Sequence, residues 1–395
     1  MSCCWLALPL AAGVSSVDKQ RLINLFAAIC AITVFGFALG LMFPLLALIM
    51  EKRGISSDII GYNTAMAPLG IMLSVFTTPA LVRRFGAKAA TIAAALATGT
   101  IILIYPYLNV FWWWFGLRML QGFFVSTLFA ISEAWVVRFA EGPYRSRILA
   151  LYTSVLAASF GGGPALISLT GIDTVLPFVI GAFFLAIATV PIFFVRDENI
   201  DDKDEAPLSV IGFVRKGPII LTAVLMFAII DAANLSFLPV YGVKKGMDQA
   251  TASLALTAFI VGNIVLQFPV GWLADHFRKR WVMAGCGIVT ASASALIPLS
   301  FGSWVFWPLL TVAGAASAGI YTVSLAELGE RFSGHELVTG MASISTTWGT
   351  GALLGSLVAG WSMQGFGPDG LPYSMALIFA LFLVVMLARE YRKNP

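Results

Sequence analysis

Four ionisable side chains stand inside long apolar runs of this chain: Arg118, Glu133, Asp231 and Glu327. A charge in hydrocarbon is costly unless it is paired or wet, so each is a candidate for function. The chemistry open to these types is reversible protonation and the making and breaking of ion pairs. Bond-making chemistry would need a nucleophile beside a base, or converging metal ligands, in the same segments. The two histidines, His276 and His335, fall in polar breaks, and Cys3, Cys4, Cys30 and Cys286 show no ligand spacing. A membrane-embedded enzyme is therefore set aside, and no metal or cofactor is expected. No nucleotide-binding loop occurs, so any driving force should be an ion gradient rather than ATP.

The elements that must position these groups are long and apolar. Of 395 residues, 59% are hydrophobic and 11% charged, with 30 Phe and a mean hydropathy of +0.90. Soluble domains carry about 25% charged residues, so the class is an all-α polytopic membrane protein. The net charge of +4 comes from loops and gives no reason to expect nucleic acid. Runs of about 20 residues span roughly 30 Å of hydrocarbon. Twelve are expected, near 22–50, 59–82, 89–108, 110–137, 147–170, 175–195, 218–242, 250–274, 281–301, 304–329, 337–362 and 371–388. They divide the chain into an extension (1–21), a six-helix half (22–195), an acidic linker (196–217), a second six-helix half (218–388) and a tail (389–395). Residues 1–16 lack a positive n-region and read as a short extension rather than a cleaved signal.

The positive-inside rule sets the orientation. With a cytoplasmic N-terminus, 19 of the 24 Lys and Arg fall inside; Lys52, Arg53, Lys244 and Lys245 fall outside, and Arg118 lies within the membrane. Both termini are then cytoplasmic. Trp112, Trp113, Trp114, Trp304 and Trp307 fall at the outer interface, where indole rings anchor helices. The protein is expected to be an integral, multi-pass, monomeric protein of the lipid bilayer, in the inner (plasma) membrane if bacterial.

Helical rise then gives depths. Arg118 lies about 10 Å below the outer end of its helix and Asp231 about 16 Å below the end of its own, close to the bilayer middle. A carboxyl so placed suits the uptake and release of a proton. The depths differ by about 6 Å, so the two could pair; the plainer readings are that Arg118 snorkels to the tryptophan belt and that Asn234 satisfies Asp231. Glu133 and Glu327 lie near the cytoplasmic ends, level with Arg83, Arg84, Arg278 and Arg280. They read as inner-gate partners of those arginines, or as static pairs. Asn63, Tyr152, Asn234, Asn263, Gln267, Tyr321 and Trp348 are polar or amphipathic groups that either line a path or join helices.

Gly271-Trp-Leu-Ala-Asp275-His-Phe-Arg278-Lys279-Arg280 is a basic turn between two apolar runs, with Gly271 placed for close backbone approach. A degenerate copy, Pro79 to Lys88, stands 192 residues earlier, and the same offset pairs Trp112 with Trp304, Gly122 with Gly314, and Gly163 with Gly355. That is the signature of two repeated halves. The turn resembles the loop motif of the major facilitator superfamily, with Gly271, Leu273, Ala274, Asp275, Lys279 and Arg280 matching and Arg278 in place of a second glycine. More narrowly, the chain resembles the YcaD-like branch, through Ile60-Gly61, Arg118-Met-Leu-Gln121-Gly122, Ser132-Glu133, Leu238-Pro-Val-Tyr241 and Gln267-Phe-Pro-Val-Gly271.

The resemblance implies twelve helices in two halves and secondary transport of a small molecule by alternating access. It implies proton coupling at the Arg118-x-x-Gln121-Gly122 segment and a central cavity lined by the fourth and seventh helices. Gly163-Pro164 partly matches an antiporter motif, which favours export; helix packing explains it equally. Uptake by proton symport is the alternative, as is a transport-dead sensor, although such a sensor would carry a soluble output domain.

Overall fold

The computed structural model describes residues 16–108, 110–139, 145–195, 210–265, 267–332 and 334–391. The first fifteen residues of the expected extension, linker residues 196–209 and the last four residues lie outside them. The described residues form helices and short turns, with no strand. A helix satisfies every backbone group within its own segment, which runs this long and apolar need away from water. The elements are α1 (Ser16–Lys52), α2 (Ser57–Phe85), α3 (Ala87–Ile104), α4 (Trp113–Phe139), α5 (Arg145–Thr170) and α6 (Leu176–Thr189). After the linker come α7 (Val210–Lys216), α8 (Pro218–Lys244), α9 (Gln249–Val265), α10 (Gln267–His276), α11 (Lys279–Ser300), α12 (Phe306–Arg331), α13 (Gly334–Phe366) and α14 (Gly370–Tyr391). Among the described residues ten helical segments are long and apolar enough to cross a membrane, one of them Gln249–His276, which takes in α9 and α10.

Two sets of helices pack within themselves. In the first, α1 packs on α4, α5 and α6, and α2 and α3 both pack on α4. In the second, α8 packs on α9, α12, α13 and α14, and α11 on α12 and α14. The sets meet where α2 lies on α13, α5 on α9 and α1 on α8.

The 192-residue offset recurs in this packing. A methyl group at Gly70 would lie 1.9 Å from the Met119 carbonyl oxygen, and one at Gly122 would lie 2.1 Å from that of Ala67. At the α9–α12 crossing, Gly262 stands against the Thr311 carbonyl at 1.8 Å and Gly314 against that of Phe259 at 2.0 Å. Gly262 and Gly314 follow Gly70 and Gly122 by the same interval. Such contact between backbones excludes any side chain larger than hydrogen. Gly163 sits on α1, 2.2 Å from the Gly40 carbon by the same construction, and Gly355 sits on α8, 2.2 Å from the Ile229 oxygen.

We call the end where α1 begins proximal and the end where it finishes distal. Distally the sets are clasped. Glu51 and Lys244 lie 3.3 Å apart. The Trp361 indole donates to the Tyr62 hydroxyl at 2.9 Å, and the Ser57 amide donates to Gln364 Oε1 at 3.1 Å. Gly61 and Gly360 let α2 and α13 touch, with Ser356 O 2.8 Å from a methyl at Gly61. Proximally, α2 ends at Gly86, which turns the chain directly into α3 with φ 83°, a value that favours glycine. Arg83, Arg84 and Phe85 are exposed there, as are Asp275, Phe277 and Arg278 at the α10–α11 turn. The short α7 inserts Phe213 against Gly340 and, at 4.9 Å between ring centres, against Phe332.

Candidate functional site between the two helix sets

Arg118 is only 1% exposed, as its place on the α1-facing side of α4 requires. Its Nη1 donates to the Met42 carbonyl on α1 at 2.7 Å, and the guanidinium lies over the Phe43 ring at 4.4 Å. Nε and Nη2 have no hydrogen-bond partner among the described residues. One turn on, Gln121 Oε1 accepts from the Tyr105 hydroxyl at 3.4 Å, while Gln121 Nε2 is unpartnered. Tyr105 in turn packs edge-on against Trp114 at 5.7 Å. The expected Arg118–Asp231 pair is therefore not made. Depth along the helices permitted it, but α1 packs on both α4 and α8 and intercepts the guanidinium.

Asp231 is partly exposed and has neither a hydrogen bond nor an ion pair among the described residues. Asn234 does not serve it: its amide donates to the Ile230 carbonyl at 2.9 Å and faces a narrow crevice inside the second set, beside Tyr241 and Ser294. One turn before Asp231, the Phe227 ring stacks on Tyr321 of α12, with 5.0 Å between centres. Tyr321 packs, with Trp348 of α13, against an apolar cluster of Ile220, Leu221, Val224 and Leu328.

Glu133 is likewise partly exposed and unpaired among the described residues. Its neighbour Ser132 shares a 2.9 Å hydrogen bond with the Tyr152 hydroxyl of α5. Glu133 makes no ion pair with its expected partners Arg83 and Arg84, which stand exposed at the end of α2.

The other expected gate residues also find different partners. Glu327, 6% exposed, pairs with Arg331 one turn along α12 at 2.9 Å, and its second oxygen is unpartnered. At the α10–α11 turn Lys279 pairs with Glu330 at 2.6 Å, while Arg278 is exposed. Asp275 is exposed and Arg280 half-buried. Gly271 has open space where a side chain would stand, so it mediates no close backbone approach. The α10 segment around it faces outward, and composition alone does not reveal which way a glycine faces. Gln267 Nε2 reaches Asn263 Oδ1 at 3.4 Å within one helical face. Gly163 does stand against α1, and Pro164 follows it inside α5.

Sequence reasoning missed the distal clasp. Glu51 and Lys244 give no signal of it, because neither lies inside an apolar run. The adjacency of Tyr62 and Trp361 has no local signal, since 299 residues separate them. Chemically, each helix set offers one carboxyl without a partner among the described residues, Glu133 on α4 and Asp231 on α8. That arrangement can exchange protons or hold a positive charge.

A family model described as Major Facilitator Superfamily matches residues 28–250 and 245–395. The MFS-type transporter YfkF of Bacillus subtilis is 23% identical over 94% of this chain and 97% of its own length. An MFS-type transporter of Enterobacter sp. (strain 638) is 23% identical over 93% and 96%, and YcaD of Salmonella arizonae 22% over 93% and 96%. Among solved structures, the nucleoside transporter NupG is similar in fold, with a TM-score of 0.76 over 95% of this chain and 100% of that one at 12% identity.

Proposed function

This chain belongs to the major facilitator superfamily, and on that premise we propose that it carries a small molecule across the membrane by proton-coupled alternating access. Membrane transport follows from the family; coupling, direction and topology are our reading. Taking α9 and α10 as one span and α7 as part of the linker gives twelve spans, with both termini cytoplasmic and the proximal end facing the cytoplasm. The halves are 22–195 and 218–388, and the protein is a monomer. The named relatives are bacterial proteins, which suits a plasma-membrane location.

The observation that carries the reading is Asp231. It is a carboxyl without a partner among the described residues, on a helix, α8, that packs against α1 of the other set. An intramembrane acid in that position needs a proton or a cation to be stable. The distal clasp through Glu51–Lys244 and Tyr62–Trp361 supports a conformation closed on one side. In this reading Arg118 and Gln121 are held by α1 and shape the coupling segment, and Asn263 and Gln267 line the path. Arg83, Arg84, Glu133, Gly271, Asp275, Arg278, Arg280 and Glu327 close the proximal end when the distal end opens.

Export is favoured by Gly163-Pro164, which packs α5 against α1 at the position of the antiporter motif. The test is flux in proteoliposomes. Asp231→Asn should abolish movement driven by a pH gradient and leave substrate exchange partly intact, because exchange need not cycle a proton. Uphill movement by Asp231→Asn with unchanged pH dependence would remove the carboxyl from the mechanism. Uptake by proton symport would show in the same assay as flux in the direction of the proton gradient.

A further inference from the structure

We propose that α7 is a hinged latch on the proximal side. With Phe213 seated, it keeps the proximal stretch of α13 on α8 and α12 and away from α2, and its release accompanies proximal closure. The inference rests on the alternating-access reading and adds to it a part of the chain that controls which side is open.

Phe213 is the knob of the latch. It is only 2% exposed, although it stands on a helix of seven residues. Two missing side chains make its hole. A methyl at Gly340 would lie 2.9 Å from Phe213 Cζ, and one at Gly217 would lie 3.0 Å from Cε1. Phe332, at the end of α12, closes another side with 4.9 Å between ring centres. The ring thereby joins Ile220, Leu221 and Val224 of α8, Leu328 of α12 and Ile344 of α13 in an apolar cluster distinct from the main core. Lys216 pairs with Glu336 of α13 beside it. That pair is about half exposed, so the ring rather than the charge carries the docking.

The hinge is the joint between α7 and α8. Gly217 is non-helical, with φ −126° and ψ 47°, and Pro218 opens α8. The counterpart in the first half lacks this joint. Arg21 stands 192 residues before Phe213 (213 − 21 = 192). Its Nε donates to the Phe139 carbonyl at the end of α4, 192 residues before Arg331 at the end of α12 (331 − 139 = 192). Both residues thus reach the same place in their own half. But α1 runs unbroken from Ser16 to Lys52, so Arg21 moves only with its span. Phe213 is carried across a break and can leave its hole without moving α8. A helix of seven residues does not hold itself together in water, so α7 out of its seat would lose its helical hydrogen bonds.

What the latch controls follows from the α2–α13 seam. The seam is shut from the Gly61–Gly360 contact as far as Gly349, where a methyl would lie 2.9 Å from Met72 Cγ. Beyond that level Phe85, at the end of α2, and Met341, on α13, are both exposed. There α7 holds α13, at Glu336 and Gly340, to the ends of α8 and α12. Leu328 of the same cluster adjoins Glu327, whose pair with Arg331 lies within α12. A contact shifts a conformational equilibrium only if it differs between the two states. The seat of Phe213 is a contact that closing the seam to its proximal end would give up.

The test uses the full chain in detergent, with spin labels at Phe85→Cys and Phe277→Cys, one at the proximal end of each set and neither on the latch. Hydrogen exchange of residues 210–216 is followed by mass spectrometry in the same samples. Phe213→Ala should raise the population with the shorter label distance and speed exchange of 210–216 about tenfold. Gly340→Val fills the hole from the other side and should do both as well. Gly360→Ile, which wedges the distal seam apart and leaves the latch residues intact, should show the same faster exchange. Melting curves identify any variant that has lost its fold. Parent-like distances in the folded hole variants would overturn the latch, as would slow exchange in a Gly360→Ile sample whose labels report the short distance. Two populated distances in those samples would leave alternating access standing. One fixed distance in every sample, Gly360→Ile included, would sink the alternating-access reading and the latch with it.

Discussion

The indole N–H of Trp361 reaches the hydroxyl of Tyr62 at 2.9 Å, tying α13 to α2 one residue beyond the point where Gly61 and Gly360 touch. The glycines set the spacing and the hydrogen bond sets the register. At Gly360 a methyl would lie 2.7 Å from the Ser57 carbonyl oxygen. Gly360→Ile should therefore force the distal ends apart and shift the protein toward its other conformation. Spin labels at residues 85 and 341 should then report a shorter proximal distance. An unchanged distance with normal melting would mean that the clasp does not set the conformation.

Arg118 gives a split between stability and function. Its Nε and Nη2 are buried without partners among the described residues, and burying a charge is costly unless it is paired and fully hydrogen-bonded, so an apolar group of similar volume should be tolerated. Arg118→Met should melt at the same temperature as the parent or above it, yet lose proton-driven flux. Arg118→Lys keeps the charge but loses the planar fork and should lose most of the flux too. A large fall in melting temperature for Arg118→Met would show that the Met42 contact is a net contributor to the fold.

The glycines of the repeated crossing predict a contrast. Overpacking a tight site costs typically about 1–3 kcal/mol. Gly70→Val and Gly262→Val should each lower the melting temperature clearly, since both meet a carbonyl. Gly271→Val faces open space and should melt as the parent does. Thermal melts of the three proteins decide it, and an equal effect at all three sites would contradict the packing.

Topology is checked by labelling. Cysteine at Ser303, in the exposed distal turn before α12, should react with an impermeant maleimide on intact cells. Cysteine at Arg278, in the proximal α10–α11 turn, should react only after permeabilisation. The reverse pattern would invert the orientation derived from the Lys and Arg distribution.

Much of the fold could be read from periodic apolarity and from the offset. Gly122 and Gly314, paired by arithmetic, prove to be the same contact made twice. Gly86, which falls inside the earlier turn copy, has the positive φ that joins α2 to α3. The site was less legible, because sequence gives depth along a helix but not the direction a side chain takes around it. Arg118 and Asp231 matched in depth and diverged in azimuth. Glu133 lay level with the basic turns and yet makes no ion pair with them among the described residues. Gly271 was conspicuous in its motif and touches nothing.

At the two glycine crossings a carbonyl oxygen abuts a bare Cα, and no side chain there can change rotamer to let the helices slip. Each crossing behaves as a rivet. Whatever motion the protein makes must be hinged along the three seams, α1 with α8, α2 with α13 and α5 with α9, while α2–α4 and α9–α12 travel as welded pairs. Side chains that face the seams are then free to vary without loosening either pair, so one chassis can accept different cargo by repainting its inner walls alone.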